Sequence, residues 1–219
     1  MMAKQRQLQA LKGQPVNRPG EGTAAINVAL KTFIATDGQS ISQLGLDLSQ
    51  AHVPDRRYAA DTCAVTYSNQ VVRLIFGQEL FNGAGLRSAV AVKMTPRAVM
   101  QLLQMIDSSM SESFVQGLAL EGVQTEALAS PIVEPSQTTV VLAANLVLPA
   151  VSSLEACIDF YQASAFALGV AMRSSVGKLA VDAVVRVDLS TGLFLALLEE
   201  LRRISPQFAN VKIWSPATT

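Results

Sequence analysis

The chain has 219 residues, half of them apolar and 16% charged, with 17 Lys and Arg balancing 17 Asp and Glu. Such a composition excludes a disordered chain and gives no bulk attraction for nucleic acid. Two cysteines are too few for a disulfide framework.

Residues 1–23 form a basic tail. Lys4, Arg6, Lys12 and Arg18 stand against Glu21 alone, Gln, Gly and Pro dominate after Leu11, and no apolar core of a signal peptide follows. A cytoplasmic location is therefore expected. In Ala24–Thr36, Ile26, Val28 and Leu30 alternate with smaller or polar residues, which predicts a half-buried strand. Asp37-Gly38 is a turn. Ser40–Pro54 is polar with apolar interruptions, and Gly45–Leu48 reads as an edge strand. Two strand-like runs come next, Thr62–Ser68 and Val71–Phe81. They lead to Asn82-Gly83, a strong hairpin dipeptide because both central positions of a tight hairpin turn need positive φ. A third run, Leu86–Met94, enters a helix through Thr95-Pro96. Pro96 suits the first helical position, where its missing N–H costs nothing. The helix is predicted to reach Ser109 and to resume over Ser113–Leu118.

Glu121–Gln137, with Pro131 and Pro135, reads as a linker. Thr138–Pro149 then predicts a lone strand. Glu155–Gln162, Ala165–Met172 and Leu179–Asp188 predict three more, a helix spans Thr191–Ile204 before Pro206, and Val211–Trp214 adds a short terminal strand. The most apolar window, Thr138–Ser152, is broken by Asn145 and Pro149. No uninterrupted apolar run reaches the ~18 residues of a membrane span.

The order strand, strand, turn, strand, helix thus occurs at Ala60–Leu118 and again at Glu155–Ile204. A nearly constant offset places Cys63 on Cys157, Tyr67 on Tyr161 and Leu74 on Leu168. With one residue more in the second turn, it places Val90 on Val185, Val92 on Val187 and Thr95 on Ser190. The stripe Val99, Leu102, Leu103, Ile106 falls on Phe194, Leu197, Leu198, Leu201, each at the spacing of one helix face. The expected fold is α+β: two duplicated antiparallel-sheet-plus-helix units related by a pseudo-twofold axis. The expected divisions are a disordered basic tail at 1–23, a first unit at 24–120, a linker at 121–137 and a second unit at 138–219.

No residue cluster compels a chemistry. His52, the single histidine, has only Asp47 and Asp55 nearby in sequence, and a general base needs a positioned partner. One His and two separated Cys leave no zinc spacing. Gly77–Gly85 invites a phosphate-loop reading, but no Lys-Ser/Thr follows it and a strand rather than a helix comes next. Glu199 and Glu200 stand at helix-pair spacing from Arg203 on a solvated face. Met94, Met100, Met105 and Met110 lie on or beside the first helix and offer an adaptable contact surface. No catalytic, cofactor-binding or metal-binding residue is assigned.

Tyr58-Ala59, then Arg73-Leu74 with Phe76-Gly77, then Ala91–Pro96 entering an apolar helix, resemble a family of small bacterial domains of unknown function. Those domains carry a Y-A-N start, an L-D-F-G strand and an M-S-P helix entry. The chain departs at Ala60, Ile75 and Thr95. The layout is also similar to the SecB export-chaperone fold. The resemblance implies no catalytic residues and, by analogy of fold, a holder of extended peptides.

The expected function is a non-enzymatic protein-interaction module, either an oligomeric scaffold or a SecB-like peptide-holding chaperone. Its expected partners are a protein or peptide and further copies of itself, with no nucleic acid and no membrane span. Self-association follows from the surplus of apolar side chains: Ala127–Met172 carries only Glu134, Glu155 and Asp159 as charges. The alternative is a hydrolase or transferase whose site lies between the two halves. Deleting residues 1–20, which lack apolar periodicity, should leave the thermal midpoint within a few degrees of the parent's in a calorimetric scan.

Overall fold

The computed structural model describes residues 23–34, 40–79, 86–109, 124–128, 139–173 and 176–210. The tail up to Gly22, the turns at Asp37-Gly38 and Asn82-Gly83, the resumed helix at Ser113–Leu118, most of the linker and the run Val211–Trp214 lie outside these residues. The fold is mixed α+β, mostly strand, with three α-helices among the described residues.

Two sheets carry the structure. In sheet A, β2 (Ser40–Asp47), β1 (Thr23–Ile34), β10 (Val176–Ser190), β9 (Glu155–Gln162) and β8 (Leu146–Val151) lie in that order. β3 (Arg57–Ala59) joins the same sheet by pairing parallel with β10. Sheet B has the order β4 (Thr62–Ser68), β5 (Val71–Glu79), β6 (Leu86–Met94), β7 (Val140–Ala144), the last pair parallel. The expected all-antiparallel pairing is therefore corrected at two places. β3 and β7 each reach a distant partner, and a parallel pair needs such a long connection.

The chain crosses between sheets at two residues with matching bonds. At Asp61 the backbone N–H donates to the Gly77 carbonyl at 3.1 Å, and the carboxylate accepts from the Glu79 N–H at 2.7 Å. At Asn145 the backbone N–H donates to the Tyr161 carbonyl at 3.0 Å, and the side-chain oxygen accepts from the Ala163 N–H at 2.9 Å. The lone strand expected at Thr138–Pro149 is thus two strands in different sheets, divided at Asn145. Pro149 sits within β8, at the sheet edge, where a missing N–H is tolerated.

The inner faces of the two sheets meet in one core. Val72, Leu74, Phe76, Val90 and Val92 from sheet B join Ile158, Phe160, Val185 and Val187 from sheet A, and the rings of Phe76 and Phe160 lie 6.1 Å apart. Helices α1 (Pro96–Ser109) and α3 (Thr191–Ile204) close this core. All eight stripe residues, Val99, Leu102, Leu103, Ile106, Phe194, Leu197, Leu198 and Leu201, are buried. Each helix starts under a hydroxyl cap: Thr95 Oγ1 accepts from Ala98 N–H at 3.3 Å and Ser190 Oγ from Leu193 N–H at 3.0 Å. The helices do not cover only their own sheets, since α3 lies against β4 as well as β9 and β10, and α1 against β8 as well as β5. Arg202 joins them at 2.6 Å from Asp107. Gln124–Leu128 crosses the first turn of α3, where Glu126 N–H donates to the Gly192 carbonyl at 3.3 Å. A Cβ at Gly192 would collide with the Gln124 carbonyl, so the crossing requires glycine there.

A second core lies on the outer face of sheet A, built from Ile26, Val28, Leu146, Tyr161, Leu179 and Val181. Helix α2 (Ala165–Arg173) covers it with Ala167, Leu168 and Ala171. This corrects the strand expected at Ala165–Met172. The segment has few β-branched residues, Ser164 Oγ caps it by accepting from Ala167 N–H at 3.0 Å, and its inward residues recur at helical spacing. The second half accordingly runs strand, helix, strand, helix from Glu155 onward. Cys63 and Cys157 do not hold matching places: Cys63 faces Phe76 across an edge pair, whereas Cys157 lies between Asp188 and Ala150 in mid-sheet.

Replacing Leu103 or Leu198 by Ala should each lower unfolding free energy by about 2–5 kcal/mol, the range for truncating a buried leucine, as read by urea denaturation.

Candidate functional site

β10 changes the face its side chains present. A one-residue irregularity at Val184 separates Leu179 and Val181, which point into the outer core, from Val185, Val187 and Leu189, which point into the inner one. Beyond the irregularity the outward positions are Arg186 and Asp188. β9 places Cys157, Asp159 and Tyr161 beside them, and the parallel pairing of β3 adds Arg57 opposite Arg186. The upper outer face of sheet A is therefore polar. Above it opens a cleft of about 800 Å³, bounded by the β8–β9 turn and the start of α3.

One ion pair lines the cleft and a second reaches beneath it. Arg186 grips Asp159 with two bonds of 2.6 Å from Nε and Nη2, and Asp159 is only 3% exposed. Tyr161 donates its hydroxyl to the same carboxylate at 3.4 Å. Arg57 meets Asp188 more openly, with Nη2 at 3.0 Å from Oδ2. Hydrogen bonding to Asp159 raises the Arg186 pKa above its ordinary value. The Tyr161 hydroxyl is pushed up to about 12, by burial first and by Asp159 second. Burial raises the Cys157 thiol, with Asp159 and Asp188 acting in the same direction and Arg186 against them. Glu155 stands at the rim beside Leu154, which is 80% exposed. The β8–β9 turn is held by Ser152, whose hydroxyl accepts from Glu155 N–H at 3.0 Å and donates to the Glu155 carbonyl at 2.9 Å.

Sheet B presents a different outer face. Ala64, Ile75 and Ala91 form a small apolar cluster apart from either core. Beside it on β7, the outermost strand of the sheet, Val141 is 54% exposed.

His52 is exposed in the loop before Pro54 and does not line the cleft. Asp47, its sequence neighbour, caps the short turn Leu48–Gln50 instead. Of the two glutamates at helix-pair spacing, Glu200 pairs with Arg203 on the surface of α3. Met94 is buried in the inner core and Met105 packs against it, so only Met100 is exposed among the described methionines of this region. Of the two thiols, Cys63 is buried in the inner core and Cys157 is half-buried on the outer face of sheet A. Sequence reasoning missed the cleft because its members come from β3, β9 and β10, and β3 is too short to leave a periodic signal. Among the described residues no group of three or more His, Cys, Asp or Glu is placed to hold a metal ion, and no described helix is long and apolar enough to cross a membrane. Comparison with family models, curated proteins and solved structures finds no match for this chain.

The Cys63 thiol is pushed up to about 12, by burial and then by Glu126. At pH 8 a disulfide reagent should titrate Cys157 in the native protein and Cys63 only after guanidinium unfolding. Alkylation of Cys157 should be slower than that of a free cysteine, because less thiolate is present. A raised thiol pKa contributes stability that is whole below the ordinary value near 9 and is lost as pH rises toward 12. Denaturation midpoints should therefore fall across that window.

Proposed function

We propose that this chain is a non-enzymatic protein-interaction module that self-associates and holds extended peptide. The observation that carries this function is the outer edge of sheet B. Among the described residues β7 is an uncharged edge strand, and its exposed Val141 pairs with Ala91 of the buried apolar cluster Ala64, Ile75 and Ala91. An edge strand offers unpaired N–H and C=O groups, and natural proteins usually guard such an edge with charge or proline. A second chain adding a strand there would satisfy the backbone and cover Val141. Phe166, 80% exposed on α2, is a further apolar side chain in want of cover.

We propose also that the chain contains two copies of one sheet-and-helix unit, in a register different from the one the sequence suggests. β3, β4, β5, β6 and α1 correspond to β7, β8, β9, β10 and α3, and α2 is an insertion between β9 and β10. Four independent features support this. Phe76–Val90 and Phe160–Val185 are matching pairs, and each is followed by a one-residue irregularity, at Ala89 and Val184. Asp61 and Asn145 make the same backbone and side-chain bonds at the sheet crossing. Thr95 and Ser190 cap equivalent helices. Finally, the first strand of each copy pairs parallel with the third long strand of the other, Tyr58 beside Val187 and Leu142 beside Val92. On this basis the two copies exchange strands and fold as one body.

A hydrolase or transferase with its site between the halves is the alternative. Its own supporting observation is the cleft, which draws Arg57 from the first half to Glu155, Cys157 and Asp188 of the second. Against it, Asp159 and Asp188 are both engaged by arginines, and burial raises the Cys157 thiol, so no activated nucleophile stands there.

Sedimentation at micromolar concentration should find a dimer or larger species, or a complex with co-purified peptide. Val141→Glu should shift it toward the 23.3 kDa monomer while leaving the far-UV spectrum unchanged. A clean monomer of the parent protein without bound peptide would remove the main support for an interaction module.

A further inference from the structure

We infer that the cleft over sheet A binds extended peptide through a lysine or arginine side chain. This rests on the interaction-module function and on the two-copy organisation proposed above. The copies act as internal controls for each other. Where they face the inner core they agree in character: Leu74 and Ile158, Phe76 and Phe160, Val92 and Val187 are all buried and apolar. On the outer face they part. Ile75 and Ala91 of the first copy correspond to Asp159 and Arg186 of the second, and Val141, carried by the exchanged strand, corresponds to Arg57.

The fold therefore accepts a plain apolar pair where sheet A holds a buried ion pair. Taking a carboxylate and a guanidinium out of water is costly, and replacing such a pair by packed apolar groups is often neutral or stabilising. Asp159 and Arg186 are then ill explained as devices for stability. Arg186 lines an open cleft and Asp159 holds it from beneath, which gives the pair another use: to keep the cleft floor polar and ordered for an occupant.

Charge selects the occupant. Arg57 and Arg186 are balanced by Asp188 and Asp159 in close pairs, and Glu155 adds a carboxylate that makes no ion pair. The cleft therefore carries a surplus negative charge at its rim. Exposed Leu154 stands next to that carboxylate and offers an apolar wall. A carboxylate beside an apolar wall suits a long cationic side chain, whose alkyl stem packs while its charged head stays hydrated at the rim. A peptide in extended form presents such side chains at every second residue on one face.

The test uses the full chain and fluorescein-labelled peptides that alternate valine with lysine, glutamate or serine, followed by fluorescence anisotropy. The lysine peptide should bind at least about tenfold more tightly than the glutamate peptide. Glu155→Gln should weaken it by about fivefold, the upper range for a partly exposed ion pair. Asp159→Ile combined with Arg186→Ala, which installs the residues of the first copy, should keep the thermal midpoint and weaken binding of the lysine peptide. Equal binding of the three peptides, or an unchanged lysine-peptide affinity in Glu155→Gln, would overturn the assignment whether or not the double variant folds. Failure of the interaction-module function looks different: none of the peptides binds and the parent chain sediments as a bare monomer.

Discussion

β10 is the strand on which the rest of the structure depends. Along its fifteen residues it pairs with β1 and β3 on one side and with β9 on the other. The irregularity at Val184 reverses its faces midway. Its first part can then close an outer core under α2, while its second part closes the inner core against sheet B. A regular strand keeps a strict period of two and would send one of these apolar sets into solvent. An extra residue in one strand also bends it and increases its twist. The same device that reverses the faces frees Arg186 and Asp188 to line the cleft.

The parallel pairing of β3 with β10 and of β7 with β6 ties the two halves of the chain together. Each is a short strand, yet it commits its segment to a ladder with a strand far along the chain. Asp61 and Asn145 make this possible, since each gives a side-chain acceptor to a backbone N–H where the ladder is interrupted. Buried backbone groups at such a break need partners, and a short polar side chain supplies them without lengthening the connection. The Phe76–Phe160 contact then sits between the sheets, each ring near the irregular residue of the strand paired with its own.

The two sheets have spent their outer faces differently. Sheet A covers half of its face with α2 and furnishes the other half with paired charges. Sheet B holds the buried apolar cluster of Ala64, Ile75 and Ala91 beside Arg73 and Lys93, with the uncharged strand β7 at one edge among the described residues. If both faces bind, they do so by different physics. A polar cleft selects by charge, whereas an open edge selects by backbone geometry and is less discriminating about side chains.

Local pattern and chemistry were enough for the sequence to determine the strands at Thr62–Ser68, Val71–Glu79 and Glu155–Gln162, both stripe helices, and their hydroxyl caps. In each case alternation or helical spacing repeats over several residues, and burial follows the same period. Ala165–Arg173 misled because a short apolar run has no period that separates strand from helix, and only its seat over Tyr161 and Leu179 decides. The match of Cys63 with Cys157 misled for a related reason: identical residues were aligned where pairing partners differ. Partner choice belongs to the tertiary structure alone. Arg57 and Arg186 are far apart in the chain and carry no shared motif. They become neighbours because a three-residue strand finds the open edge of β10, where its backbone groups are satisfied.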